Sequence, residues 1–278
     1  MPIMTTSFRE SSTHYQAADG SELPLLVFEP GDGVQVRAGI VLFHGGALLK
    51  GSADRLAPHC RSLAARGILA VSAGYRLVGL GARSIDDCLA DARLAIEEFG
   101  RLARSRGLGA TQLASGGSSA GGHLALLAAL IGPDGHGDGR GHGHGHGDGP
   151  GPTSGPGLAA VVGFNPAGLD LRSFAPELRR RLEDQIGIAA GRLAEYSAIE
   201  FVRPGNPPVL IHHGTDDEVE PIDCVRRFRD AMVRAGNECT LLEYENGVHG
   251  FHYPGDDGHF DEVIDITARF LLDRVATA

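Results

Sequence analysis

From residue 24 onward, short apolar runs rich in β-branched residues alternate with longer amphipathic stretches. That alternation predicts an α/β fold: strands joined by crossover helices in a mostly parallel sheet. The strand-like runs are 23–29, 38–44, 68–75, 112–117, 158–165, 208–214 and 239–245. Between them, 53–67, 84–103 and 222–236 carry apolar residues at helical spacing, and 123–131 is an apolar helical segment that follows the fourth strand.

Two stretches break the rhythm. Residues 132–157 are nearly all Gly, His, Asp and Pro and offer nothing to a core, so a flexible surface insertion is expected there. A rival reading makes His136, His142, His144 and His146 metal ligands, but the glycines leave them unorganised, and no metal is assigned. Residues 170–200 are polar and helix-like and fall between two core strands, the place for a small lid or cap above the sheet. The expectation is one domain spanning 1–278.

Composition narrows the class. The chain has 278 residues, 42% hydrophobic and 22% charged, and no run approaches the length that spans a bilayer. Its net charge of -10 and lack of clustered Lys and Arg argue against a nucleic-acid partner, since phosphate binding needs such clusters. The N-terminus lacks a basic and an apolar signal region, so a cytoplasmic location is expected. Cys60, Cys88, Cys224 and Cys239 are far apart with no C-x-x-C, which predicts free thiols.

Four motifs carry chemistry. Gly117-Ser118-Ser119-Ala120-Gly121 is a G-x-S-x-G placed between a strand and an apolar helix, where a sharp turn lifts a serine above the sheet. With 41 glycines in the chain the pentapeptide is weak by itself, but its context makes Ser119 the candidate nucleophile and leaves Ser118 without the second glycine. His44-Gly45-Gly46-Ala47 ends another strand; the N–H groups of Gly46, Ala47 and Ala120 are candidates for holding the oxyanion that acyl transfer creates. His213-Gly214-Thr215-Asp216-Asp217 supplies a carboxylate to orient a histidine: Asp217 is preferred, with Asp216 and Glu218 as rivals. Gly247-Val248-His249-Gly250-Phe251 supplies the general base, His249, against His252 and His259 nearby. All four fall at the C-terminal ends of expected strands, where open α/β sheets place their sites.

These blocks, with Gly74-Tyr75-Arg76-Leu77 and the extended G-G-S-S-A-G-G-H, resemble the carboxylesterase and acetylesterase branch of the α/β hydrolases, similar to the hormone-sensitive-lipase-like enzymes, over about residues 38–275. The resemblance implies an α/β-hydrolase fold and hydrolysis of small esters, often of short acyl groups, through an acyl-serine intermediate without metal or organic cofactor. It also implies a structural ion pair between Arg76 and Asp91. Ala47 stands where the family more often has glycine, yet retains its N–H. The same triad also serves acyltransferases, lactonases and cyclising enzymes, and a catalytically silent ligand-binding protein is the reading from another class. Oligomeric state is open from sequence.

Overall fold

All seven expected strands form, each within two residues of its predicted limits. The computed structural model describes residues 7–131, 157–255 and 258–275. In chain order its elements are β1 (Phe8–Gln16), β2 (Glu22–Pro30), β3 (Ala38–Phe43), α1 (Ala57–Ala64), β4 (Ile68–Ala73), the short β5 (Leu77–Val78) and β6 (Gly81–Ala82), α2 (Ile85–Arg104), β7 (Leu113–Ser118), α3 (Ala120–Leu130), β8 (Ala160–Phe164), α4 (Pro176–Arg181), β9 (Val209–Gly214), α5 (Ile222–Arg234), β10 (Cys239–Tyr244) and α6 (His259–Val275). Eight strands make one sheet in the order β1-β2-β4-β3-β7-β8-β9-β10.

From β4 to β10 the pairing is parallel; β1 and β2 join antiparallel at one edge. Strand β1 is not among the strands that the apolar pattern predicts, for a physical reason. Its sequence FRESSTHYQ exposes every side chain except Tyr15, so it shows no apolar alternation. It is held by its ladder to β2 and by the Tyr15 hydroxyl, which donates to the Gly74 carbonyl at 2.7 Å.

Within the central strands, alternation builds one core on each face of the sheet. Val41 and Phe43 pack with α2, α3 and α5, whereas Ile40 and Leu42 pack with α1 and α6. Helix α3 is buried over its whole length, as the apolar run AGGHLALLAAL requires of a helix with no solvent face. Helix α2 begins at Ser84, whose hydroxyl accepts from the Asp86 N–H.

Residues 170–200 form no long helix. They run through 3-10 turns at Leu171–Ser173, Ala190–Tyr196 and Ala198–Phe201, with α4 continuing into a π turn at Leu182–Ile186. The stretch is less polar in effect than in sequence: Leu171, Phe174, Ile186, Ile188, Leu193 and Tyr196 are buried in the core shared with α2 and α3. It is also tied down by hydrogen bonds. His123 of α3 donates to the Tyr196 carbonyl at 2.6 Å, and the Tyr196 hydroxyl donates to Asp86 of α2 at 2.8 Å. The insertion expected at 132–157, with His136, His142, His144 and His146, lies outside the described residues except for Gly157. The four cysteines are free thiols. No helix among the described residues is long and apolar enough to cross a membrane.

Candidate active site

The G-x-S-x-G turn forms where β7 ends and α3 begins. Ser119 is the hinge residue, at φ 52°, ψ −120°, a region in which a residue with a side chain is strained by about 1–3 kcal/mol. The surroundings hold it there: its N–H donates to Phe164 of β8, and its carbonyl accepts from His123 and Ala167. The second glycine is dictated by space, because a Cβ on Gly121 would lie 2.0 Å from the Phe43 carbonyl oxygen. Sharp turn and close packing together present the Ser119 hydroxyl at the C-terminal edge of the sheet.

The loops after β9 and β10 bring two further groups to that hydroxyl. His249 Nε2 lies 2.8 Å from Ser119 Oγ, and His249 Nδ1 lies 2.8 Å from Asp217 Oδ2. Burial by itself would raise the Asp217 carboxyl, but the hydrogen bond and charge of His249, the Glu220 N–H and His213 outweigh it and leave the group below its ordinary value. An ionised Asp217 only accepts, so the His249 proton sits on Nδ1; Nε2 then accepts from the Ser119 hydroxyl. That is the protonation a base needs in order to take the serine proton. Asp217 Oδ1 accepts from the N–H groups of Val219 and Glu220 at 2.8 and 3.0 Å, which anchors the carboxylate.

The rivals separate by burial and direction. Asp216 and Glu218 are exposed, whereas Asp217 is buried. His259 opens α6 and packs edge-on against Tyr244 and Phe251. His252 is fully buried and turned inward, where its Nε2 meets Ser118 Oγ at 3.0 Å.

The H-G-G-A loop faces Ser119 from β3. Gly46, Ala47 and Leu48 take positive φ of 130°, 56° and 64° in succession, and the Gly46 carbonyl accepts from the N–H groups of Leu49 and Lys50. Glycine is required at 46, since a Cβ there would lie 1.9 Å from the Lys50 carbonyl oxygen. Among the described residues, the N–H groups of Gly46, Ala47 and Ala120 have no hydrogen-bond partner, so all three can serve a ligand. The G-Y-R-L block explains itself here. Tyr75 stacks on His44 at 4.3 Å and donates to the His44 carbonyl, and the Val78 N–H donates to the Leu48 carbonyl. Next to Tyr75, Arg76 makes a two-pronged pair with buried Asp91 at 2.7 and 2.8 Å, the ion pair that the resemblance implied.

Three further groups at the site have contacts that no motif assigns. Asn165, at the end of β8, donates to Asp217 Oδ2 at 2.7 Å. Glu220 is buried, accepts from the Gly168 N–H at 2.8 Å, and is pushed up to about 8 by burial. His213 donates to the Glu220 carbonyl at 2.7 Å and lies 3.4 Å from Asp217 Oδ2. A carboxyl in V-E-P and an asparagine in F-N-P carry no motif signal; only the packing of two loops gives them neighbours.

The chain is similar to known esterases over nearly its whole length. The propionate-bound structure of esterase 2 from the planctomycete Thermogutta terrifontis is 30% identical, covers 95% of this chain and 94% of that one, and superposes with a TM-score of 0.77. The butyrate-bound form (29% identity, TM-score 0.78) and the form phosphorylated by paraoxon (29%, 0.76) match over the same shares of both chains. No curated protein is similar enough in sequence to match. Fold and site define a serine esterase of the α/β-hydrolase class. More narrowly, the BD-FAE family model matches residues 27–232, well over half of the sequence, and the chain belongs to that family.

Proposed function

We propose that the protein hydrolyses carboxylic esters of short acyl groups, acetyl-type esters among them, with Ser119 as nucleophile, His249 as general base and Asp217 as the acid that orients it. The observation carrying this reading is the unbroken line Asp217 Oδ2, His249 Nδ1, His249 Nε2, Ser119 Oγ, with 2.8 Å at each hydrogen bond. His249 takes the serine proton as Oγ attacks the ester carbonyl, and the N–H groups of Gly46, Ala47 and Ala120 receive the oxyanion. When the tetrahedral intermediate collapses, His249 returns the proton to the leaving alcohol. The same imidazole then takes a proton from water as it attacks the acyl-serine, and returns that proton to Ser119 Oγ as the acid is released.

Short acyl groups are favoured by analogy with Thermogutta esterase 2, whose structures hold propionate and butyrate. In this reading the docked stretch 170–200 is a cap that limits the acyl pocket within a single domain, and the substrate is a small molecule. The test is hydrolysis of p-nitrophenyl esters from acetate to decanoate by wild type and Ser119→Ala. Serine-dependent rates that fall as the chain lengthens are expected; equal rates in the variant, or a preference for decanoate, would overturn the reading.

A further inference from the structure

Asn165 is bonded to both the loop that carries Asp217 and the loop that carries His249. It directly follows β8, the strand between the one that leads to Ser119 and the one that leads to Asp217. Its φ is 45°, a left-handed conformation that asparagine adopts more readily than most residues, and its N–H is fixed by the His212 carbonyl of β9 at 2.9 Å. The side chain is wholly buried. Its Nδ2 donates to Asp217 Oδ2 at 2.7 Å, and its Oδ1 accepts from the Gly250 N–H at 3.2 Å. Only one orientation of the amide satisfies both, because a carboxylate cannot donate and a backbone N–H cannot accept.

This arrangement does two things. One rigid amide ties the loop bearing the acid to the loop bearing the base, since Gly250 directly follows His249. It also donates to the same carboxylate oxygen that receives His249 Nδ1–H, and so draws charge from the oxygen that stabilises the imidazolium. We propose that Asn165 is a positioning residue of the active site, which sets both the register of His249 against Asp217 and the basicity of His249. The proposal rests on Ser119, His249 and Asp217 acting as described above.

Other groups also face this pair. His213 of β9 lies against Asp217, Glu220 closes the same loop with Asp170 close to it, and His252 stands three residues beyond His249. None of them hydrogen-bonds both loops through its side chain.

The test is Asn165→Gly, which keeps the backbone free to hold φ 45° and deletes both side-chain bonds. With p-nitrophenyl acetate, kcat is expected to fall roughly 10- to 100-fold with KM within about twofold, as for a displaced catalytic group rather than a lost binding contact. Without the Asn165 donor the Asp217 charge is more available to His249, so the acidic limb of kcat/KM should move to higher pH by about half a unit or more. The melting temperature controls for folding. A folded variant with wild-type kcat and an unmoved acidic limb overturns the proposal. If instead Ser119→Ala or His249→Ala keeps activity, it is the site reading beneath it that fails, and the two outcomes are distinguishable.

Discussion

Ser118 Oγ lies 3.0 Å from His252 Nε2, so the two adjacent serines of the elbow each meet a different histidine. The two pairs have opposite polarity. His59 Nε2 approaches both the carbonyl oxygen and Nδ1 of His252, at 3.1 and 2.9 Å; since a carbonyl only accepts, His59 Nε2 carries a proton. His252 Nδ1 is therefore the acceptor, and its own proton sits on Nε2, directed at Ser118. His252 cannot take a proton from Ser118 with a nitrogen that already holds one. Ser119 faces an accepting nitrogen at the sheet edge, whereas Ser118 faces a donating one inside the core.

Removing the Ser118 hydroxyl should consequently cost stability rather than chemistry. In Ser118→Ala the buried His252 N–H loses its acceptor, a loss of about 1–3 kcal/mol in denaturant unfolding. Esterase turnover should stay within about tenfold of wild type, while Ser119→Ala falls by four orders of magnitude or more. Comparable loss of turnover in both variants would contradict the assignment of the nucleophile.

Acid should destabilise the fold from the histidine range downward. Among the described residues, His44, His59, His123, His212, His213 and His252 are buried, and burial holds each below its ordinary value; His59 and His212 are pushed to about 3 and His123 to about 4. Below pH 6.5 the unfolded chain binds protons that the folded chain refuses, so stability falls as pH falls, until these low folded values are reached. Each such group contributes about 1.4 kcal/mol per pH unit within its window. Urea midpoints measured at pH 7, 5.5 and 4.5 should therefore drop steeply; a flat series would refute the expectation.

Glu220 should act with the opposite sign. Burial raises its carboxyl from 4.5 to about 8, so the folded state keeps a proton that the unfolded state releases. Its contribution is fully present below pH 4.5 and is lost as pH rises toward 8. Glu220→Gln preserves the acceptor for the Gly168 N–H and cannot ionise. Its stability relative to wild type should rise between pH 5 and pH 8; a difference independent of pH would show that Glu220 does not titrate in this window.

What could be read in the chain itself was whatever rests on local pattern. The central strands are buried along their whole length and the flanking β2 and β10 keep apolar positions, so all seven were visible, whereas the exposed edge strand β1 left no trace. The elbow, the H-G-G turn and the post-strand loops were legible because sharp turns and close approaches demand glycine at fixed offsets, as at Gly46 and Gly121. Adjacent candidates were another matter: Asp216 against Asp217, or His252 against His249, differ in sequence by position alone. The tertiary structure separates them, because the strand ends turn one side chain toward Ser119 and another to solvent or into the core. Asn165 and Glu220 were invisible for the same reason. Their roles come from loops that follow different strands of the sheet, and contacts between segments distant in sequence exist only once the sheet has brought those strands side by side.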